Sequence, residues 1–518
     1  MENVQTYPEI SSDKFVFVQK TDLEHDKKLD TKPVGYFKGA FKRFCKNKGA
    51  IVAACIIVVL VLFAIIVPFC TQYSVSYTDK YYRNVMPRSS VFKNTSFWDG
   101  CKARAVGEAD YVYYRAMGEE TGHYAIKNNK AELNDDGLYE FRLDTYHSVG
   151  VVYINLLPEE YENLQAYQNE TGIQVIYPTI RLSDRPQADQ DINNGNYYYK
   201  TTKVQGKTQI TLDKDGNVIP VYREYPAAHP IDNYHSLRIE GDGFDRNGTL
   251  YQYAYASVMG NSYECRVNYY EYYIYEHTRV LKDGVKTPDF LFGTTGNGQD
   301  ILTCLASGAR FSFIFGIVVA LVNMIIGAIY GSIEGYYGGK TDLVMERISD
   351  ILSAIPMMIV ITLLKYHMEG SSHILILFLS FFLTGWIGMA STTRMQFYRF
   401  KNQEYVLAAR TLGARDGRLM FKHIFPNAIG TLVTSCALVI PSMIYSEVNL
   451  TYLGIINLSG GKITSVGTLI EMGQQSLTLA PHVVMFPTIF LVLLMLSFNL
   501  FGNGLRDAFN PSLRGSEG

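Results

Sequence analysis

The sequence holds no C-x-x-C pair and no paired Cys/His spacing of the kind that binds zinc. Its seven cysteines, Cys45, Cys55, Cys70, Cys101, Cys265, Cys304 and Cys436, are scattered, so a structural metal is not expected. Long runs of one charge sign are also missing. With 47 basic and 49 acidic residues the formal charge is -2, which gives no reason to invoke nucleic acid. A phosphate-binding loop is absent as well. The triplets Gly206–Thr208 and Gly339–Thr341 have Thr201 and Glu334 where G-x-x-x-x-G-K-T requires its first glycine. No nucleotide-phosphate site is therefore expected in this chain. No Ser/His/Asp or paired-carboxylate arrangement stands out, so no catalytic residue is assigned, and no cofactor is expected in this chain.

Apolar side chains are plentiful: 47% of residues are hydrophobic and 19% charged. A mean hydropathy of zero hides two unlike parts. Residues 49–71 carry no charge over a length that crosses about 30 Å of hydrocarbon. Some forty-eight polar residues precede this run, which argues against a cleaved signal peptide. Further spans are predicted at 309–332, 349–366, 373–393, 428–447 and 483–502, making six. Asn323, Pro356, Pro441 and Pro487 interrupt them, as happens where neighbouring helices satisfy the freed backbone.

Lys38, Lys42, Arg43, Lys46 and Lys48 stand just before the first span and place the N-terminal segment 1–48 in the cytoplasm. Alternation then puts Arg394, Arg399, Lys401, Arg410, Arg415, Arg418 and Lys422 inside, together with the tail 506–518. Residues 73–290 fall outside. They are numerous enough to bury their own core and read as a mixed α/β domain. VGVVYIN (149–155) and IQVIYP (173–178) are strand-like, and PEEYENLQAYQNETG (158–172) is helix-like with Pro158 at its start. A hairpin is predicted over 208–224 around Asp215-Gly216-Asn217, and the Tyr-dense stretch Tyr251–Tyr275 suggests more strands. These tyrosines could grip peptides or serve as core. Cys101 and Cys265 lie in this domain and could form a disulfide or remain separate thiols. Glu334 and Glu447 read either as intramembrane carboxylates or, the favoured reading, as interface residues that reach water.

Between the fourth and fifth spans lies NQEYVLAARTLGARDGRLMFKHIFPNA (402–428), too polar to span and spaced as two short helices. Gly413 would permit the left-handed turn that ends the first, Ala408 and Ala409 would let another surface approach, and Pro426 would end the second. A helix lying on lipid would need neither this glycine nor this proline.

This loop resembles the Glu-Ala-Ala signature of bacterial ABC importer permeases. Ala408, Ala409, Gly413, Phe425 and Pro426 occupy the pattern, whereas Leu407 stands for the usual Glu and His423 for the usual Ile. Glu404 fits the Glu-Tyr-Val common in the dipeptide and oligopeptide branch. FGTTGNGQDILTCLASGARFSF (292–313), GYYGGKTD (335–342), SEVNLTYLGI (446–455) and NLFGNGLRDAFNP (499–511) resemble its C-type subunit. Gln299 replaces the Arg usual in the first of these, which the resemblance implies forms an outer helix before the second span, and residues 291–308 would be that outer amphipathic segment.

The resemblance implies a six-span helical permease bundle over 309–505 with a coupling loop at 402–427, plus the external domain. It implies Glu404, Ala408, Ala409, Gly413, Ala414, Arg415, Asp416 and Pro426 as the surface seated in an ATPase. The implied partners are a second permease subunit, two cytoplasmic ATPases that bind ATP and magnesium, an external substrate-binding protein, a peptide substrate and membrane lipid of a bacterial plasma membrane. A nickel or other small-solute permease is the alternative cargo reading. A membrane-anchored receptor would need one span and leave five unexplained, and a membrane enzyme lacks a catalytic set.

Overall fold

The computed structural model describes residues 36–92, 95–177, 260–458 and 464–509, and between 178 and 259 only the backbone of short segments. Among the described residues, five helices are long and apolar enough to cross a bilayer: Lys48–Cys70, Ile301–Tyr337, His373–Phe400, Asp416–Tyr452 and His482–Phe509. Gly339–Ser353 and Met357–His367, bent by 74°, supply a sixth crossing if counted together. In the first span only Ala50, Ala53, Leu60 and Ala64 are buried. Their spacing marks one helical stripe, which packs on the second and sixth spans, and the other faces are apolar and open, as lipid contact requires.

Two spans differ from their predicted form. Residues 349–366 are not one straight helix, because the chain leaves the helix after Ser353 and re-enters it with Pro356 as N-cap. Proline has no N–H to give to the preceding turn and disfavours helical geometry at Ile355, so the break falls there. Residues 291–308 are not a separate outer helix. They divide at Asp300, whose carboxylate accepts the Thr303 N–H at 2.9 Å and opens a helix unbroken to Tyr337. Its 37 residues make a rod about 55 Å long.

Between the first and second spans sits the mixed α/β unit. The strand expected at 149–155 is Val151–Leu156, and the helix expected at 158–172 is Pro158–Thr171. The strand pairs antiparallel with Ser262–Asn268, which pairs on its other side with Ala256–Met259. Tyr161, Leu164 and Tyr167 of the helix close over Leu156, Ile176, Cys265 and Val267.

Several expectations are corrected here. Of the expected strand 173–178, only Ile176–Tyr177 is strand among the described residues 173–177. Residues 207–210 pair with 201–204, and 220–222 pair with 197–199, so the described parts of the two arms of the expected 208–224 hairpin pair elsewhere and not with each other. Its Asp-Gly-Asn turn lies outside the described residues. Tyr269–Tyr275 is helix, because the Asn268 side chain accepts the Tyr270 N–H at 3.1 Å and starts one. Tyr269 and Tyr273 then share a face, buried with Tyr82, Tyr146 and Phe290, so these tyrosines are core. Cys101 and Cys265 are both free and buried. Cys101 begins a strand paired with Tyr139–Asp144, whereas Cys265 lies in a different sheet.

Candidate functional site: the loop between the fourth and fifth spans

Glu404–Thr411 forms a two-turn helix that ends at Leu412. Gly413 follows at φ +83°, the left-handed conformation that costs a side-chain-bearing residue about 1–2 kcal/mol. The turn satisfies the carbonyls the helix leaves open: Gly413 N–H donates to Arg410 O at 2.9 Å and Ala414 N–H to Ala409 O at 3.1 Å. The loop is thus a closed, hydrogen-bonded unit.

From Asp416 the chain is helical through to Tyr452, so Pro426 does not end a second short helix as the sequence suggests. A wider turn over Leu419–Ile424 precedes it, in which Phe425 N–H reaches back to Met420 O. A proline ring collides with the carbonyl four residues back in a regular α turn, and the wider turn makes room for it.

One side of the loop is packed. Val406, Leu419, Met420 and Ile424 are buried with Phe397 and Tyr336, flanked by Ala409 and Ala414. The other side is open. Glu404, Ala408, Gly413, Arg415 and Pro426 are exposed, and so are Leu407, Phe421 and above all Leu412, at 88% of its surface. Asp416 is exposed yet tethered, accepting the Tyr336 hydroxyl at 2.5 Å. The residues singled out from the sequence therefore do not form one face: Ala409 and Ala414 look into the protein, and the others look out.

Residues not singled out hold the loop's neighbourhood together. Arg394 donates to Asp342 at 2.6 and 2.9 Å and to Glu346 at 2.8 and 3.1 Å. Lys401 Nζ donates to Gly335 O at 2.9 Å, and Arg410 Nη2 to the Tyr336 hydroxyl at 3.2 Å. The Asp342/Glu346 spacing of four on one helix face was the available signal, but the helix that presents Arg394 to it lies some fifty residues on.

Neither buried glutamate reaches water, contrary to the favoured sequence reading. Glu334 is 3% exposed and lies 3.5 Å from Arg394 Nε. Glu447, 0% exposed, accepts from Ser312 Oγ at 2.8 Å, and its Oε1 has no hydrogen bond among the described residues. Bundle packing covers both; Glu334 lies against a guanidinium and Glu447 against a hydroxyl.

Comparison with known proteins bears on this arrangement. The family model described as "Binding-protein-dependent transport system inner membrane component" matches residues 323–515, which include the whole loop. The one described as "N-terminal TM domain of oligopeptide transport permease C" matches residues 35–87. The chain is 41% identical over 245 residues to the oligopeptide transport system permease protein OppC of Bacillus subtilis, covering 47% of this chain and 78% of that one. It is 37% identical over 230 residues to the dipeptide transport system permease protein DppC of the same organism, covering 44% and 70%. It is 37% identical over 223 residues to OppC of Escherichia coli K12, covering 43% and 72%. The chain belongs to the family of ABC importer permeases, multi-pass proteins of the plasma membrane, on the branch of the oligopeptide and dipeptide permease C subunits.

Proposed function

We propose that this chain is one of two pore-forming subunits of an importer that moves peptides across a bacterial plasma membrane. The loop 402–427 would seat in a cytoplasmic ATPase subunit that binds ATP and magnesium. The exposure of Leu412 carries the loop assignment. An apolar side chain held that far into water at the tip of a closed, rigid turn is suited to burial by a partner. The peptide assignment rests on the relatives' names and on their identity to this chain.

In this reading both termini are cytoplasmic, as the basic residues before the first span favour, and the α/β domain is extracytoplasmic, beside an external binding protein. A second permease chain would cover part of the open bundle, and ATP binding would tilt the spans through the loop, biasing one of two arrangements. The chain itself performs no covalent step.

The test is affinity purification in gentle detergent. Wild type should bring down a second permease and two ATPase chains, and Leu412→Glu should lower ATPase recovery at least tenfold while the second permease remains. Undiminished recovery with Leu412→Glu would sink the loop assignment, and recovery of the wild-type chain alone would sink the transporter reading.

A further inference from the structure

The loop-side end of the second span is held in an unusual way. Glu334, Gly335 and Tyr336 are consecutive, and each is tied to a different part of the chain. Glu334 lies 3.5 Å from Arg394 of the fourth span. Gly335 O accepts from Lys401, just past the end of that span, at 2.9 Å. The Tyr336 hydroxyl donates to Asp416 at the start of the fifth span, at 2.5 Å, and accepts from Arg410 of the loop helix at 3.2 Å. The backbones are close here too, since a Cβ on Gly335 would sit 2.7 Å from Arg394 O.

We propose that Glu334–Tyr336 is the joint through which movement of the loop is passed into the bundle, with Tyr336, Arg394 and Lys401 as positioning residues. This deepens the loop assignment above and rests on it. Three observations carry the inference. The second span is one unbroken helix from Ile301 to Tyr337, so a displacement at Tyr336 is delivered at Asp300, where the α/β domain joins. Tyr336 packs with Val406, Leu419 and Ile424, so the loop cannot tilt as a unit without moving it. Finally, the Arg394 guanidinium faces three carboxylates, Glu334, Asp342 and Glu346, on two elements.

Arg394 now donates to Asp342 and Glu346 on the helix after the second span, and Glu334 stands just beyond hydrogen-bond range. One guanidinium facing three carboxylates on two elements has two discrete ways to pair, and discrete alternatives of this kind let a packed core switch. Glu334 is the more costly to leave unpaired, because its side chain is 4% exposed against 38% for Glu346. In the second arrangement Arg394 closes on Glu334 and releases Glu346 to solvent.

The experiment uses the complete transporter in proteoliposomes and reads peptide uptake per ATP hydrolysed, alongside ATPase co-purification. Tyr336→Phe removes only the hydroxyl, and Asp416→Asn weakens the same link. Each should keep the ATPase subunits bound and lower uptake per ATP, by about five- to tenfold for Tyr336→Phe, and the double variant should be no worse than Tyr336→Phe alone, because without the hydroxyl Asp416 has no link left to lose. Arg394→Gln should lower uptake per ATP at least tenfold, and Arg394→Lys, which keeps the charge without the fork, should recover part of it.

Wild-type uptake per ATP in both Tyr336→Phe and Arg394→Gln would overturn the joint. So would strictly additive losses in the Tyr336/Asp416 pair. The loop assignment fails separately, through undiminished ATPase recovery in Leu412→Glu. If that variant loses ATPase while both Tyr336→Phe and Arg394→Gln transport normally, the loop stands and the joint falls.

Discussion

The two ends of the second span are held by different physics. At the end beside the α/β domain, Tyr82, Tyr146, Tyr273 and Phe290 form a buried aromatic cluster, and Asp79 gathers the N–H groups of Tyr81 and Tyr82 and the hydroxyl of Tyr269. Val85 and Asn84 are bound there to Thr294 and Thr295. At the loop end a smaller apolar cluster around Tyr336 and Phe397 is joined by ion pairs and hydroxyl contacts, and Leu412 at the tip faces water. The domain end is self-sufficient: its aromatic rings are covered within one chain, and Asp79 is bonded to Tyr81, Tyr82 and Tyr269 there. The loop end is incomplete alone, and contacts that can be exchanged in pairs hold it, as suits a surface that is to be covered and moved.

That contrast implies a division of effects, which substitutions should expose. The largest change is expected from Tyr82→Ala, which opens a cavity in a fully buried cluster and should cost about 3–5 kcal/mol of local stability. Pulse proteolysis of the intact chain should cut within the domain, while the ATPase chains still co-purify with what remains. Loss of the ATPase chains would erase the distinction between the ends.

Next in size is acidification of the domain. Burial, then the nearby charges of His123 and Arg88, push His147 down from 6.5 to about 3, although Asp144 lies 3.8 Å away. The fold thus favours the neutral ring. Its contribution is complete above about 6.5, where the unfolded ring is neutral too, and is lost as pH falls towards 3, because only the unfolded chain takes up the proton. Going from pH 7 to 5 should cost the domain about 2 kcal/mol. His147→Gln should flatten that dependence in the same proteolysis assay; an unchanged slope would show that other groups set it.

A smaller cost in stability falls at the loop. Gly413→Val forces a branched side chain into the left-handed region, about 1–2 kcal/mol of local strain. No atom lies within 4 Å of the new Cβ, so the chain should insert and fold. Uptake per ATP should fall several-fold, and normal uptake would mean that the turn's shape does not matter. No change at all is expected from reductant. Cys101 and Cys265 are unpaired, so dithiothreitol should leave both the domain's protease resistance and its gel mobility as they were.

The extent of the bundle was legible in the sequence because hydrocarbon demands long uncharged helices wherever they pack, and residues 49–71 could hardly be read otherwise. The turn at Gly413 was legible for a related reason, since a left-handed backbone favours glycine whatever surrounds it. Pro426 misled because a proline's effect depends on the turn around it, and a wider turn absorbed it. The Tyr269–Tyr275 helix misled because tyrosine favours strands on average, whereas capping by Asn268 and burial on one face decided the outcome here.

By itself, then, the sequence determined what local chemistry and the solvent impose: which segments are apolar enough to cross, where the chain turns left-handed, and the absence of a nucleotide-binding loop. Only the tertiary structure decided which charges meet. Arg394 with Asp342 and Glu346, Tyr336 with Asp416, and Glu447 with Ser312 are separated by 48 to 135 positions. Nothing in local sequence brings such pairs together; helix packing does, because it sets which faces touch and which polar groups must find one another once water is excluded.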